Sequence, residues 1–175
     1  MLTNESGPPV PAERAAKSNT SAAKYTCPDG LGEVECVPPL IPPGTYRLRF
    51  SHWWTGILFG KAHKLAVSFK VMDFGEHFDA ELRRWYNVQI PQGRRTGRNG
   101  VFKAGWGSDL MREYASLIGM VKRNDRIALT HYANKVILGE VVTVKTAHDQ
   151  EELPEALQYS VVRRLLSVEA GQRST

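Results

Sequence analysis

The chain has 175 residues, 42% of them hydrophobic and 23% charged, which suits one globular domain with tails and excludes a fibrous or wholly disordered polymer. Its 23 Lys and Arg against 18 Asp and Glu give a formal charge of +5, compatible with a polyanionic partner, so where the cations lie matters more than their sum. No apolar run approaches the roughly 20 residues that span a bilayer, and the opening Met1-Leu2-Thr3-Asn4-Glu5-Ser6 has neither the basic start nor the apolar core of a secretory signal; a cytoplasmic protein without membrane attachment is expected.

Residues 1–23 are small, polar or Pro with almost no large apolar side chain, and a disordered arm is predicted because so little burial cannot offset the entropy of ordering. Residues 24–43 form an extended lead-in, kept from helix by Pro38-Pro39 and Pro42-Pro43 because each proline pushes its predecessor out of the α region. It carries Cys27 and Cys36, which lack CxxC or Cys/His spacing and read as reduced thiols, a short disulfide or shared metal being the alternative. A domain over 44–168 follows, and 169–175 is expected to fray.

Within that domain Tyr46, Leu48 and Phe50 alternate with Arg47, Arg49 and Ser51, the two-residue period of a half-buried strand. A loop through Gly56 and Gly60 leads to a second strand, in which Leu65, Val67, Phe69 and Val71 alternate with Ala66, Ser68 and Lys70. After a turn at Phe74-Gly75 a third strand over 80–90 places Leu82, Tyr86 and Val88 on one face, with Arg84 as the exception, and Arg83, Trp85, Asn87 and Gln89 on the other. Pro91 to Gly100, with three glycines and three arginines, reads as a mobile loop.

Ser108 then offers an N-cap, Asp109 a first-turn charge, Leu110, Met111, Tyr114, Leu117 and Ile118 an apolar stripe, and Gly119 a stop, which together predict a short helix. Lys135 to Lys145 is apolar or β-branched on both faces and is predicted to be a strand buried on two sides. In the last segment Leu157, Val161 and Leu165 fit a helix while Tyr159-Ser160-Val161-Val162 favours a strand, which is preferred because it completes the sheet.

Strand, strand, strand, helix, strand, strand is the order of the five-stranded Greek-key barrel called the OB-fold. On Pro43-Gly44-Thr45-Tyr46, Lys64-Leu65-Ala66-Val67-Ser68-Phe69 and Leu82-Arg83-Arg84-Trp85-Tyr86-Asn87-Val88, the segment from Pro43 to Val168 resembles the OB-fold single-stranded DNA-binding proteins of phages and mobile genetic elements. The resemblance implies a mainly β, OB-fold-like five-stranded barrel with one helix between its third and fourth strands. It further implies sequence-tolerant binding of single-stranded DNA in replication, recombination or transfer of a mobile element, with no cofactor. Bacterial replication proteins of this class end in an acidic, partner-recruiting tail; this chain ends Gly171-Gln172-Arg173-Ser174-Thr175, so recruitment by such a tail is not implied.

The residues themselves point the same way. Holding a single strand needs cations that follow the phosphates and flat side chains on which bases stack. Between Arg83 and Gly107 there is no Asp or Glu, while Arg83, Arg84, Arg94, Arg95, Arg98 and Lys103 are interleaved with Trp85, Tyr86, Phe102 and Trp106. Arg47 and Arg49 add to this on the outward face of the first strand; Trp53 and Trp54 cannot both point inward, so one is core and the other a stacking surface or packed under the lead-in, and the same alternation continued through Ser51 would make Trp53 the outward one. The phosphate partners are therefore Arg47, Arg49, Arg83, Arg84, Arg94, Arg95, Arg98 and Lys103, and the stacking platforms Trp53, Trp85 and Phe102. Tyr86 reads as core, and Trp106 as a staple packed on the helix. Whether the ligand is DNA or RNA, and whether the protein is a homo-oligomer, stay open.

Two other readings compete. The same arginines and aromatics suit a protein-interaction or assembly module, both being enriched at binding hot spots. Asp73, Glu76, His77, Asp79 and Glu81 form an acidic cluster of the kind that binds Mg²⁺ in nucleases, yet it falls on a predicted turn and reads as a solvated hairpin tip. With no HExxH spacing, GxSxG elbow or P-loop ending, a non-enzymatic binding protein is the expectation.

Overall fold

The computed structural model describes residues 39–58, 62–147 and 150–169; the predicted N-terminal arm, most of the lead-in, both cysteines and the residues from 170 onward lie outside them. Six strands and one helix are formed: β1 Gly44–Leu58, β2 Ala62–Val71, β3 Glu81–Asn87, β4 Gly97–Arg98, α1 Asp109–Leu117, β5 Val136–Val144 and β6 Tyr159–Val168. All pairings are antiparallel, in the order β3-β2-β1-β5-β6, with β4 joined to β1. The chain is thus mainly β, with a single antiparallel sheet and one α-helix among the described residues.

The inward faces carry the core: Leu48 of β1, Leu65, Val67, Phe69 and Val71 of β2, Leu82 and Tyr86 of β3, Ile137 and Val141 of β5, and Val162 and Leu165 of β6. Each such side chain stabilises the fold by roughly 1.5–3 kcal/mol when fully buried. Helix α1 forms as its sequence predicts. The Ser108 side chain accepts from the Met111 N–H, Leu110, Met111 and Tyr114 are buried, and Gly119 takes the positive φ of 125° that ends the helix. A 3-10 turn at Leu129–Tyr132, which has no periodicity to announce it, fills the space beside α1. The Tyr132 ring lies 6.3 Å from Phe50, 6.3 Å from Phe69 and 5.6 Å from Tyr114.

Three expectations change. The Pro91–Gly100 loop contains β4, so the sheet has a sixth strand and the loop is anchored rather than free: Gly97 and Arg98 pair with Thr55 and Trp54, and the Asn99 N–H donates to the Trp53 carbonyl at 3.0 Å. β1 runs past Gly56, which is not in a loop. β5 buries Ile137, Gly139 and Val141 but leaves Val136, Leu138 and Glu140 half-buried, because among the described residues no helix covers the outer side of this antiparallel sheet. The ambiguous C-terminal segment is the strand β6. The described end of the lead-in packs along it: the Ser160 hydroxyl accepts from the Ile41 N–H and donates to the Ile41 carbonyl, both at 2.9 Å.

The two ends of the strand order, β3 and β6, lie against each other without a ladder between them among the described residues. A side chain of α1 ties them together. Glu113 accepts from Arg84 Nη2 at 2.7 Å, from the Tyr86 hydroxyl at 2.6 Å and from the Leu165 N–H at 3.3 Å. Arg84, the odd cation on the apolar face of β3, therefore has a structural partner, and its side chain is only 14% exposed. Burial disfavours the charged guanidinium, but Glu113 and Tyr86 together outweigh that and raise the Arg84 pKa. Burial, followed by the adjacent negative charge of Glu113, pushes the Tyr86 pKa well above its ordinary 10.0.

Glu113→Ala is expected to cost about 3–5 kcal/mol, because it leaves the buried Arg84 with only the Asp109 carboxylate, 3.8 Å away; the double variant Arg84→Met/Glu113→Leu should recover the part due to the stranded charge in urea denaturation, while the Tyr86 hydroxyl and the Leu165 N–H still lack their acceptor. The tyrosines add a pH dependence. Tyr86 and Tyr132 both have folded pKa values raised above the ordinary 10.0, so the stability this represents is complete below that pH and is lost as pH rises beyond it, when only the unfolded chain ionises freely. The urea midpoint should hold level up to about pH 9 and then fall, and Tyr86→Phe/Tyr132→Phe should flatten the alkaline fall.

Candidate functional site

The site is set by one extra residue in β1. Phe50 pairs with Phe69, but the next pairing is His52 with Ser68, so Ser51 is bulged out of the ladder and every side chain after it changes face. Trp53, expected outward, instead lies opposite Val67 on the core side. Its ring centroid is 6.2 Å from that of Phe50, and its Nε1–H donates to the Gly100 carbonyl at 3.2 Å. Trp54 takes the outward place.

Three cross-strand rows follow on the outward face of β1, β2 and β3. They are His52–Ser68–Arg83, Trp54–Ala66–Trp85 and Gly56–Lys64–Asn87, and Arg98 of β4 lies opposite Trp54 to extend the middle row. With about 5 Å between opposed Cβ atoms, the two tryptophans spring from points about 10 Å apart, with only the small side chain of Ala66 between them. The Trp54 indole lies along the strand over Gly56, where a Cβ would overlap the ring. Glycine is the residue that permits this ring position.

Cations surround the row. Arg83 Nε is 3.9 Å from Glu81, Lys70 Nζ 2.7 Å and Arg49 3.6 Å from Asp79, and Arg47 2.8 Å from Glu169. Arg94 and Arg95 are exposed on the turn before β4, where the Arg94 N–H donates to the Pro91 carbonyl at 3.1 Å. Lys103 is exposed and sits beside Gln89 in an isolated antiparallel bridge.

Of the residues singled out from sequence, Arg49, Arg83, Trp85 and Arg98 share the outward face, with Arg94, Arg95 and Lys103 at its loop end. Arg47 points outward on the half of β1 that pairs with β5, opposite Leu138. Trp53, Arg84 and Phe102 are not part of the surface. Trp53 is turned inward by the bulge, and Arg84 is held by Glu113. Phe102 is only 6% exposed, because the Gln89–Lys103 bridge points Lys103 outward and so sends its neighbours inward. Trp106 is 56% exposed rather than packed on the helix. Of the pair Trp53 and Trp54, sequence reading chose the wrong member for the outward place, and it passed over His52 and Lys64; the signal for Trp54 was Gly56, two positions on along the same face.

The acidic turn does not assemble into a centre. The Asp73 carboxylate accepts from the Arg47 N–H at 2.8 Å, Asp79 pairs with Lys70, and Glu81 faces Arg83. Among the described residues no three His, Cys, Asp or Glu side chains come together in a way that could hold a metal ion. No helix there is long and apolar enough to cross a membrane. Compared with known protein families, curated proteins and solved structures, the chain matches none.

Trp53→Ala, which empties a packed position and removes a hydrogen bond, should lower stability by about 3 kcal/mol, whereas Trp54→Ala should cost less than about 1 kcal/mol. Chemical denaturation of the two variants checks the assignment of faces.

Proposed function

We propose that the outward face of β1, β2 and β3 binds single-stranded nucleic acid, DNA first, without strong sequence preference. The observation that carries this is the row Arg98–Trp54–Ala66–Trp85: two flat indoles on one face, separated by a small side chain and bordered by cations. Bases stack on the indoles, each such contact contributing roughly 1–3 kcal/mol. The phosphates run past Arg98, Arg83, Lys64 and the loop arginines Arg94 and Arg95, and His52 lines the same path. The fold reading that goes with it is a five-stranded OB-like barrel. It is supported by the strand order, by the contact between β3 and β6, and by α1 lying in sequence between β3 and β5. In this reading the protein protects and extends exposed strands during replication, recombination or transfer of a mobile element, and it binds without catalysing.

A protein contact is the second reading, favoured by Phe74, which is 92% exposed and stacked on Phe78 at 5.5 Å on the β2–β3 turn. Exposed aromatics of this kind mark interaction surfaces.

Fluorescence anisotropy with labelled single-stranded DNA, double-stranded DNA and single-stranded RNA at two salt concentrations tests the first reading. Binding should favour a single strand and fall steeply with salt. Trp54→Ala and Trp85→Ala should each weaken it about tenfold or more. Absence of binding at low salt overturns the reading and leaves the protein contact.

A further inference from the structure

We infer that the nucleic-acid path does not end at the tryptophan row but continues into a second base-binding subsite built around Trp106; this rests on the reading of the β1–β2–β3 face given above. The residue expected to pack on α1 is 56% exposed and lines an open cleft of about 330 Å³ together with Lys103, Lys122, Arg123, Asn124 and Asp125. The segments meet because the Ala104 N–H donates to the Asn124 carbonyl at 3.0 Å, which brings the residues around Trp106 against the 122–125 turn.

Charge selects the occupant. Asp125 is the one carboxylate lining the cleft, and both of its oxygens accept from Arg123, at 3.0 and 2.8 Å. Lys103 and Lys122 remain as cations in excess, beside an exposed indole. A single aromatic platform with two lysines suits a base and its flanking phosphates, the same chemistry as the tryptophan row.

Continuity comes from β3. Trp85 and Asn87 succeed one another on its outward side, Gln89 follows two residues past its end, and Lys103 is bridged to Gln89 by two backbone hydrogen bonds of 2.8 Å. From Trp85 to Gln89 the extended chain advances about 13 Å, and Lys103 hands the path on to Trp106 three residues later. A strand long enough to leave the tryptophan row over β3 therefore meets Lys103, Lys122 and Trp106 next.

The test is oligonucleotide length. Oligo-dT of about 6 nucleotides fits the row alone and one of about 15 reaches the cleft, within the range of about 4–16 nucleotides held by single barrels of this kind. Trp106→Ala and, independently, Lys122→Glu should weaken binding of the longer oligonucleotide about tenfold and leave the shorter unchanged; circular dichroism confirms that both variants fold. Equal affinity of wild type and both variants for the longer strand overturns the subsite while the face reading stands. Failure of the wild type to bind either length overturns both.

Discussion

The outward side chains of β1 beyond Phe50, and with them the tryptophan row, depend on the bulge at Ser51. β1 alone makes ladders with three partners, β2, β4 and β5, and its 15 residues would extend about 50 Å if straight, more than a domain of this size can span. The strand must bend, and a bulge concentrates the bend at one residue. Before it, β1 pairs with β5; beyond it, with β4. The same residue reverses the alternation, so that the curvature of the sheet and the outward placement of Trp54 rather than Trp53 are one event. The inward tryptophan then anchors the basic loop through the Gly100 carbonyl, while the outward one lies over Gly56.

The second constraint is the seam between β3 and β6. Where two strands lie together without a ladder, their backbone groups need other partners, and Glu113 supplies one to Leu165 while gathering Arg84 and Tyr86 from the other side. Arg84 also lies over the Tyr86 ring, at 4.6 Å. Because side chains alternate along a strand, fixing Arg84 and Tyr86 inward fixes Arg83 and Trp85 outward. The Glu113 carboxylate thus positions the outward, half-buried Trp85 indole from the opposite side of the sheet.

What could be read from the sequence divides by the range of the interactions involved. Helix α1, from the Ser108 cap to the Gly119 stop, is specified by contacts within a few residues and was fully legible. The core-facing set of β2, Leu65, Val67, Phe69 and Val71, was legible too, although Ala66 and Ser68 on the opposite face are also buried rather than solvent-facing. The parity of Trp53 and Trp54 was not, because a bulge is defined by the partner strand and Ser51 has no local mark of being one. Arg84 stood out as a cation on an apolar face, but its acceptor lies 29 positions away on the border of a helical stripe that reads as solvent-facing. Phe102 failed for the same reason, since only the Gln89–Lys103 bridge decides which way it points.

The cations on and under the face are not equivalent, and the net charge of +5 hides this. Arg84 is locked to Glu113 in a buried pair whose separation would strand a charge in a poorly solvated place. The pairs of Arg83 with Glu81, Lys70 and Arg49 with Asp79, and Arg47 with Glu169 are exposed, and such pairs contribute only about 0–1 kcal/mol each in water. A phosphate can therefore replace any of these carboxylates at little cost. The exchangeable carboxylates cluster toward the β2–β3 turn, however, whereas from Arg83 through Gly107 the chain carries none. The potential consequently rises along the face from the turn toward Arg98, the loop arginines and Lys103. On the proposed function, this gradient would draw a polyanion to the end of the sheet where Trp54 and Trp85 stand, and stacking would hold it there.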